Sequence, residues 1–247
     1  MSGLEGRIAL ITGGGSGVGA AIALALAAAK AEVRLVGRTS QPLREVADRA
    51  RDLGGRADYI LADLGDEAEL RALTDRLVRD LPRLDILVQS AAVHVPGTVA
   101  AASPAMLDEH YRVNVRAPYV LTQALLPLLK DSQGQIVFIN SSSGIGAKPI
   151  TSQYDATKHA LKALADSLRG EVNAFGIRVL SVYLGRTATK LQKKIHVAEN
   201  KCYHPELLLQ PEDVASVVLN ALCLPRTAEV TDLHIRPMVG PARQVLN

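Results

Sequence analysis

The sequence has little of what marks a disulfide-stabilised, exported or membrane-spanning protein. It contains only two cysteines, Cys202 and Cys223, without Cys-x-x-Cys spacing, so neither a disulfide framework nor a zinc site is implied. Residues 1–7 lack the basic start and apolar stretch of a signal peptide. The longest strongly apolar run, residues 20–29, is about half the length needed to cross a bilayer. We therefore expect a cytoplasmic protein with no membrane partner.

Charge and histidine spacing also disfavour two other classes of site. Lysine and arginine number 28 against 25 for aspartate and glutamate, a formal net charge of +3. This excess is small and evenly spread, so we expect no nucleic-acid partner. The six histidines show no ligand spacing such as His-x-x-x-His, and we expect no bound metal.

The chain instead carries a regular alternation of short β-rich runs and longer stretches of helical period. Several runs are continuously apolar, such as residues 136–139, as expected for strands covered on both faces of a parallel sheet. Predicted strands are 7–12, 32–37, 57–63, 85–91, 135–141 and 177–184, with a seventh near 229–235. Predicted helices are 20–30, 41–53, 67–81, 104–130 and 152–175. The pattern predicts one Rossmann-type, doubly wound α/β domain over residues 1–247, with helices on both faces and ligands at the carboxyl ends of the strands.

A glycine-rich turn follows the first predicted strand and leads into a helix. Glycines there allow backbone angles closed to other residues, let the main chain approach a pyrophosphate, and bring the helix N-terminus onto the anion. The general fingerprint G-x-G-x-x-G/A fits Gly15, Gly17 and Ala20, but among so many glycines the match is weak, and a turn without ligand is the alternative. The candidate cofactor residues in this segment are Thr12, Gly13, Gly15, Ser16, Gly17, Val18 and Gly19.

The end of the second predicted strand favours NADP(H) over NAD. An NAD site usually places an acidic residue about 20 residues after the glycine turn, to accept from the ribose hydroxyl. This chain has Arg38 and Thr39 there and no acid. A guanidinium suits a 2'-phosphate. The alternative is that Arg38 is a solvated charge at a strand end.

A second set of residues suggests acid–base chemistry at the same end of the sheet. Tyr154 and Lys158 are four residues apart in a predicted helix and share one face. A phenol with a pKa of about 10 needs a nearby cation to act near neutral pH. Ser141 ends the fifth predicted strand, 13 residues before Tyr154; Ser142 and Ser143 adjoin it, and strand register decides which serine faces inward.

Taken in order, these motifs resemble those of the short-chain dehydrogenase/reductase family, in its single-domain form, over nearly the whole chain. Thr12-Gly13 with Gly17 and Gly19 is similar to the family's T-G-x-x-x-G-x-G turn, and Asp63-Leu64 resembles its adenine-contacting dipeptide. Asn114, Ser141, Tyr154 and Lys158 match its catalytic residues.

The resemblance implies a role for each of the four. Tyr154 would exchange a proton with the substrate oxygen, and Ser141 would hold that oxygen. Lys158 would bind nicotinamide-ribose hydroxyls and lower the pKa of the tyrosine, while Asn114 would support a water chain from Lys158 to solvent. The resemblance also implies a homo-oligomer, a tetramer or dimer, paired through the predicted helices 104–130 and 152–175.

Two segments depart from the family pattern. Gln89-Ser90-Ala91-Ala92 stands where the family usually has Asn-Asn-Ala-Gly, and Leu184-Gly185 stands where it usually has Pro-Gly. The second change removes the fixed geometry of proline from the turn. The cofactor contacts expected from these segments are Ser90, Ala91, Ala92 and Gly185, joined by Thr187 and Thr189, which still match the family.

Residues 186–210 fall where the family carries its substrate lid. His94, after the fourth strand, is either a substrate contact or an incidental loop histidine. The sequence thus predicts an NADP(H)-dependent oxidoreductase that transfers hydride between nicotinamide and a small-molecule carbonyl or alcohol, with Tyr154 as general acid or base. The altered segments Gln89–Ala92 and Leu184 motivate an alternative, a non-catalytic protein that binds or senses NADP(H) on the same fold.

Overall fold

The computed structural model describes residues 3–238. Seven strands form one sheet: β1 (Ile8–Thr12), β2 (Glu32–Gly37), β3 (Arg56–Leu61), β4 (Ile86–Gln89), β5 (Gln135–Ser141), β6 (Arg178–Leu184) and β7 (Asp232–Ile235). The α-helices are α1 (Gly17–Ala28), α2 (Ser40–Asp52), α3 (Glu67–Asp80), α4 (Pro104–Tyr111), α5 (Ala117–Ser132), α6 (Ser152–Val172), α7 (Lys190–Ala198) and α8 (Pro211–Leu222). None of the helices in this range is both long and apolar enough to span a bilayer.

The strand order, β3-β2-β1-β4-β5-β6-β7, is that of a doubly wound sheet. Every neighbouring pair is parallel, so all carboxyl ends lie at one edge. The order reverses between β1 and β4, and a ligand crevice forms at such a reversal. The predicted seven-stranded parallel sheet with helices on both faces is confirmed.

The sheet separates two apolar layers because successive strand residues face opposite ways. Ile11 of β1 packs with α1, α2 and α8, whereas its neighbour Leu10 packs with α3, α5 and α6. β1 is buried along its whole length, and no residue of β4 is exposed. The site residues at the carboxyl edge therefore rest on a rigid, close-packed support.

The predicted helix 104–130 is interrupted. Residues Arg112–Arg116 form one π-helical turn between α4 and α5, and the N–H of Ala117 bonds to the carbonyl of Arg112. Pro118 has no N–H to donate to the carbonyl of Asn114 and its ring crowds that oxygen, so the α-helical register fails at this point. The prediction of one continuous helix was wrong, and the interruption lies at Asn114.

The predicted lid segment holds more regular structure than its polar composition suggested. Thr189 caps α7 by accepting a hydrogen bond of 3.1 Å from the N–H of Gln192. After a short connection, the Asp213 carboxylate accepts a hydrogen bond of 3.1 Å from the N–H of Gln210 at the start of α8. Residues 186–210 thus contain a helix and lead directly into another.

Candidate active site

The glycine turn packs tightly against the segment that follows β4. Gly13 has a φ of +67°, a conformation that favours glycine, and a Cβ atom there would lie 3.0 Å from the backbone of Ala91. A Cβ atom at Gly19 would lie 2.5 Å from the carbonyl oxygen of Gly13. Both positions therefore require glycine to bring α1 onto the end of β1.

Thr12 joins the same two segments through its side chain. Its Oγ1 accepts hydrogen bonds from the N–H of Ser90 at 3.0 Å and of Ala91 at 3.2 Å. Thr12 is buried. Its contribution in this structure is to hold the chain after β4 against the turn.

Two adjoining cavities run along the carboxyl edge of the sheet. The inner cavity, about 280 Å³, contains Ser141, Tyr154 and Lys158, and the outer cavity, about 340 Å³, contains Arg38 and Asp63. Of the other predicted residues, the inner cavity is lined by Gly13, Ser16, Gly17, Val18, Ser90, Ala91, Ala92, Gly185, Thr187 and Thr189. The outer cavity is lined by Gly13, Gly15, Ser16, Thr39, Leu64, Ala91 and Ala92. The shared residues show that the cavities form one cleft.

In the outer cavity, Arg38 and Asp63 face each other across the ends of β2 and β3. Their closest charged atoms, Nη1 and Oδ2, are 3.7 Å apart, and both side chains are exposed. The other carboxylate oxygen of Asp63 accepts from the N–H of Gly65 at 2.8 Å. The guanidinium is therefore loosely held and accessible, as a residue that binds an incoming anion requires.

In the inner cavity, Lys158 lies beside Tyr154. Lys158 Nζ donates a hydrogen bond of 3.0 Å to the carbonyl oxygen of Ile139 and is 5.6 Å from the centre of the Tyr154 ring. Ser141 Oγ accepts from the N–H of Ser143 at 3.1 Å. The end of β5 and the first turns of α6 thus bring the three polar side chains to one wall.

Burial controls the proton affinities of this pair. Desolvation raises the pKa of Tyr154 to about 12, and hydrogen bonding by the Ser141 side chain opposes that shift. Desolvation also lowers the pKa of Lys158 to about 8. The lowering of the tyrosine pKa that we expected from Lys158 is not seen, because the cost of a buried phenolate dominates.

Asn114 lies behind this wall and lines neither cavity. Its side chain accepts from the N–H of Val93 at 2.9 Å and donates to the carbonyl of Val93 at 2.9 Å and to Thr157 Oγ1 at 3.1 Å. The residue therefore ties the π-helical turn both to the loop after β4 and to α6. This bonding positions the wall that carries Tyr154.

The two departures from the family pattern have different surroundings. Gln89 is buried and turned toward α5, where its Nε2 donates to the carbonyl of Pro118 at 3.1 Å and to Thr122 Oγ1 at 3.2 Å. Leu184 and Gly185 line the inner cavity directly. The first change thus affects the packing of the sheet against α5, and the second affects the cavity wall.

Several cavity residues carried no motif that would identify them in the sequence. Lys190, the first residue of α7, lines both cavities. Arg186 and Glu199 line the inner cavity and form an ion pair of 2.7 Å, and Arg186 also bonds to His196. The two residues are 13 positions apart, on either side of α7, and this spacing gives no periodic signal. The ion pair within the lid segment therefore becomes visible only in the fold.

Comparison with known proteins places these features in a family. The family model described as short chain dehydrogenase matches residues 7–200. The chain belongs to this family. As a short-chain dehydrogenase it is an oxidoreductase, of a family that binds a nicotinamide cofactor.

Individual relatives span almost the whole chain. An uncharacterized oxidoreductase of Staphylococcus epidermidis is 30% identical over 239 residues, covering 96% of this chain and 100% of the relative. The crystal structure of a metagenomic short-chain oxidoreductase in complex with NADP is 28% identical, with a TM-score of 0.83 and coverage of 96% and 99%. A short chain dehydrogenase from Burkholderia cenocepacia in complex with NADP is 31% identical, with a TM-score of 0.83 and coverage of 94% and 97%.

Proposed function

We propose that this short-chain dehydrogenase is an NADP(H)-dependent enzyme that interconverts a small-molecule carbonyl compound and its alcohol. The observation that carries the proposal is the convergence of Ser141, Tyr154 and Lys158 on one cavity beside the glycine turn. A hydroxyl that can donate a hydrogen bond, a phenol and a cation at one wall are the groups that proton transfer to a carbonyl oxygen requires.

The cleft fits a nicotinamide dinucleotide. Glycines allow the backbone to approach a pyrophosphate at the N-terminus of α1, and Ser16, the residue before that helix, makes no side-chain capping bond within the described chain. A bound cofactor of this class supplies or removes the hydride. Gly13, Ser16 and Gly17 would hold it, together with Thr187 and Thr189, which line the same cavity.

The preference for the phosphorylated cofactor rests on Arg38. Its guanidinium lines the outer cavity with Thr39 beside it, and the end of β2 carries no acid. Asp63, the carboxylate that pairs with Arg38, also accepts a hydrogen bond from the N–H of Gly65. The two solved structures named above are both described as NADP complexes, which supports the same choice.

Tyr154, Ser141 and Lys158 would each have a separate role in proton transfer to the substrate oxygen. In reduction, Tyr154 Oη donates a proton to the substrate oxygen while Ser141 Oγ hydrogen-bonds to that oxygen; in oxidation Tyr154 accepts the proton. Lys158 places positive charge next to the phenolate that forms, which offsets part of the cost of burying it. Asn114 fixes the backbone that carries the tyrosine.

We extend the proposal to the organisation of the molecule. The chain would act as a single domain in the cytoplasm. Residues 186–210 would form a lid, and the Arg186–Glu199 ion pair within it would border the substrate.

The chain would also form a homo-oligomer through α4, α5 and α6. Leu107 and Tyr111 of α4 and Tyr119 of α5 expose large apolar surfaces there. Light scattering on the purified protein tests the last point, and a monomer at all concentrations would contradict it.

The second candidate, a non-catalytic NADP(H)-binding protein, is motivated by Gln89 and Leu184. A screen of aldehydes and ketones with NADPH, repeated with NADH, separates the two functions. We expect oxidation of NADPH with at least one carbonyl compound and a higher kcat/KM than with NADH. Tight NADPH binding without turnover of any carbonyl or alcohol would favour the binding protein instead.

A further inference from the structure

His94 has an unusual position for a loop residue. It follows β4 and lines the inner cavity, and its imidazole stacks on the phenol ring of Tyr154. The ring centres are 3.9 Å apart and the planes differ by 4°. This places an aromatic ring face to face with the residue proposed to transfer the proton, at the van der Waals limit.

A second histidine contacts the same ring from another direction. His110, at the end of α4, meets Tyr154 edge-on with ring centres 6.5 Å apart. His110 is fully buried, its Nε2 accepts from the N–H of Val95 at 3.0 Å, and its Nδ1 lies 2.7 Å from the carbonyl oxygen of Met106. Both ring nitrogens are therefore used, with Nδ1 carrying the proton.

These hydrogen bonds also fix the loop that carries His94. His110 holds Val95 on one side, and Asn114 holds Val93 through two hydrogen bonds on the other. The three-residue segment 93–95 is thus anchored to α4 and to the π-helical turn, and His94 extends from it onto Tyr154. By contrast, the ring nitrogens of His94 make no hydrogen bond to any described residue, and Nε2 is buried.

The chemistry of the imidazole agrees with a role in packing. Desolvation lowers the pKa of His94 to about 4, so the ring is neutral near pH 7. A buried nitrogen without a partner costs free energy. The stack on Tyr154 is the one aromatic ring contact that His94 makes among the described residues.

We propose that His94 is a positioning residue for the reaction: its ring, held by the His110 and Asn114 anchors, fixes the orientation of the Tyr154 phenol toward the substrate. The inference rests on the proposed function, because it assigns Tyr154 to proton transfer. Misplacement of a reacting group by about 1 Å costs on the order of 100-fold in rate. A tyrosine without the stack has space to tilt, so the loss appears in kcat.

Four proteins test the proposal: wild type, His94→Ala, His94→Phe and the control His234→Ala. His234 stacks on Tyr183 with ring centres 4.7 Å apart, and neither residue lines the described cavities. With the best carbonyl substrate of the wild type, we expect His94→Ala to lower kcat by about 10- to 100-fold. KM and the NADPH dissociation constant should change little, and His94→Phe, which restores a ring, should recover most of the kcat.

Each outcome has a distinct meaning. An unchanged kcat in His94→Ala, or a loss confined to KM, would overturn the positioning role. An equal loss of kcat in His94→Ala and His94→Phe would do the same, because the stack would not be the cause. If His94→Ala fails to fold, His94→Leu replaces it. A wild type that turns over no carbonyl compound contradicts the proposed function itself, whereas an active wild type with an indifferent His94 contradicts only this inference.

Discussion

Lys158 Nζ donates a hydrogen bond of 3.0 Å to the carbonyl oxygen of Ile139 in the interior of the protein. The side chain is almost completely buried, and burial lowers its pKa from 10.5 to about 8. Burying a charge at this position costs free energy. We propose that the function of the lysine is to place this charge beside Tyr154.

The cost of burying Lys158 predicts a pH-dependent gain on its removal. Between pH 8 and 10.5 the unfolded chain binds more protons at this residue than the folded one, so its contribution to stability rises with pH through that window. Lys158→Met should therefore stabilise the protein by about 1–2 kcal/mol at pH 7, and the difference should shrink as the pH approaches 10.5. Urea unfolding across this range measures it.

The control for that substitution is Lys162→Met, one turn further along α6. Lys162 is half-exposed and pairs with Asp166 at 2.5 Å, and its pKa is raised by that hydrogen bond. We expect no stabilisation from this change. A loss of stability in Lys158→Met at pH 7 would show that the Ile139 hydrogen bond outweighs the cost of burying the charge.

The glycine turn predicts a steric effect that is local to the cofactor cleft. In Gly19→Ala, the new methyl would lie 2.5 Å from the carbonyl oxygen of Gly13, so the turn must open and NADPH affinity should fall at least tenfold. Gly170→Ala is the matched control, since a Cβ there meets nothing within 4 Å and α6 should gain up to about 1 kcal/mol. Isothermal titration with NADPH is the measurement; equal affinity in both variants would contradict the assigned role of the turn.

Arg38 predicts the cofactor preference. Arg38→Asp places a second carboxylate beside Asp63, and both would repel the 2'-phosphate that NADPH carries and NADH lacks. The substitution should therefore weaken NADPH binding far more than NADH binding, by about 100-fold in the ratio of dissociation constants. Arg56→Asp makes the same charge change at the other end of the sheet, where the side chain is exposed, and should leave that ratio unaltered. If the ratio of the NADPH and NADH dissociation constants is unchanged in Arg38→Asp, the arginine does not bind the 2'-phosphate.

Much of the fold was predictable because its signals are local. Continuous apolar runs identified β1 and β5, and the glycines after β1 marked the start of α1. The residues at the carboxyl edge followed from the sheet being parallel, which brings Ser141 to the same edge as Gly13. The alternation of strands and helices predicts that parallel sheet, whereas the order of the strands is known only from the structure.

The parts that the sequence did not predict depend on contacts between distant segments. The π-helical turn is an exception, because Pro118, four residues after Asn114, is a local signal; the apolar periodicity of the stretch, which is that of a continuous helix, outweighed it. The raised pKa of Tyr154 depends on how deeply the fold buries its ring. The stack of His94 on that ring joins a loop to α6 across 60 residues, and spacing along the chain carries no information about it.

The central claim is that Tyr154 transfers the proton in an NADP(H)-dependent carbonyl reaction, and its most direct test is the turnover of Tyr154→Phe. The matched control is Tyr183→Phe, which removes a buried hydroxyl from β6 outside the described cavities. With NADPH and the best carbonyl substrate, the account predicts a loss of kcat of about 100- to 10,000-fold in Tyr154→Phe, a nearly unchanged NADPH dissociation constant, and near-normal turnover in Tyr183→Phe. Wild-type turnover in Tyr154→Phe would contradict the account.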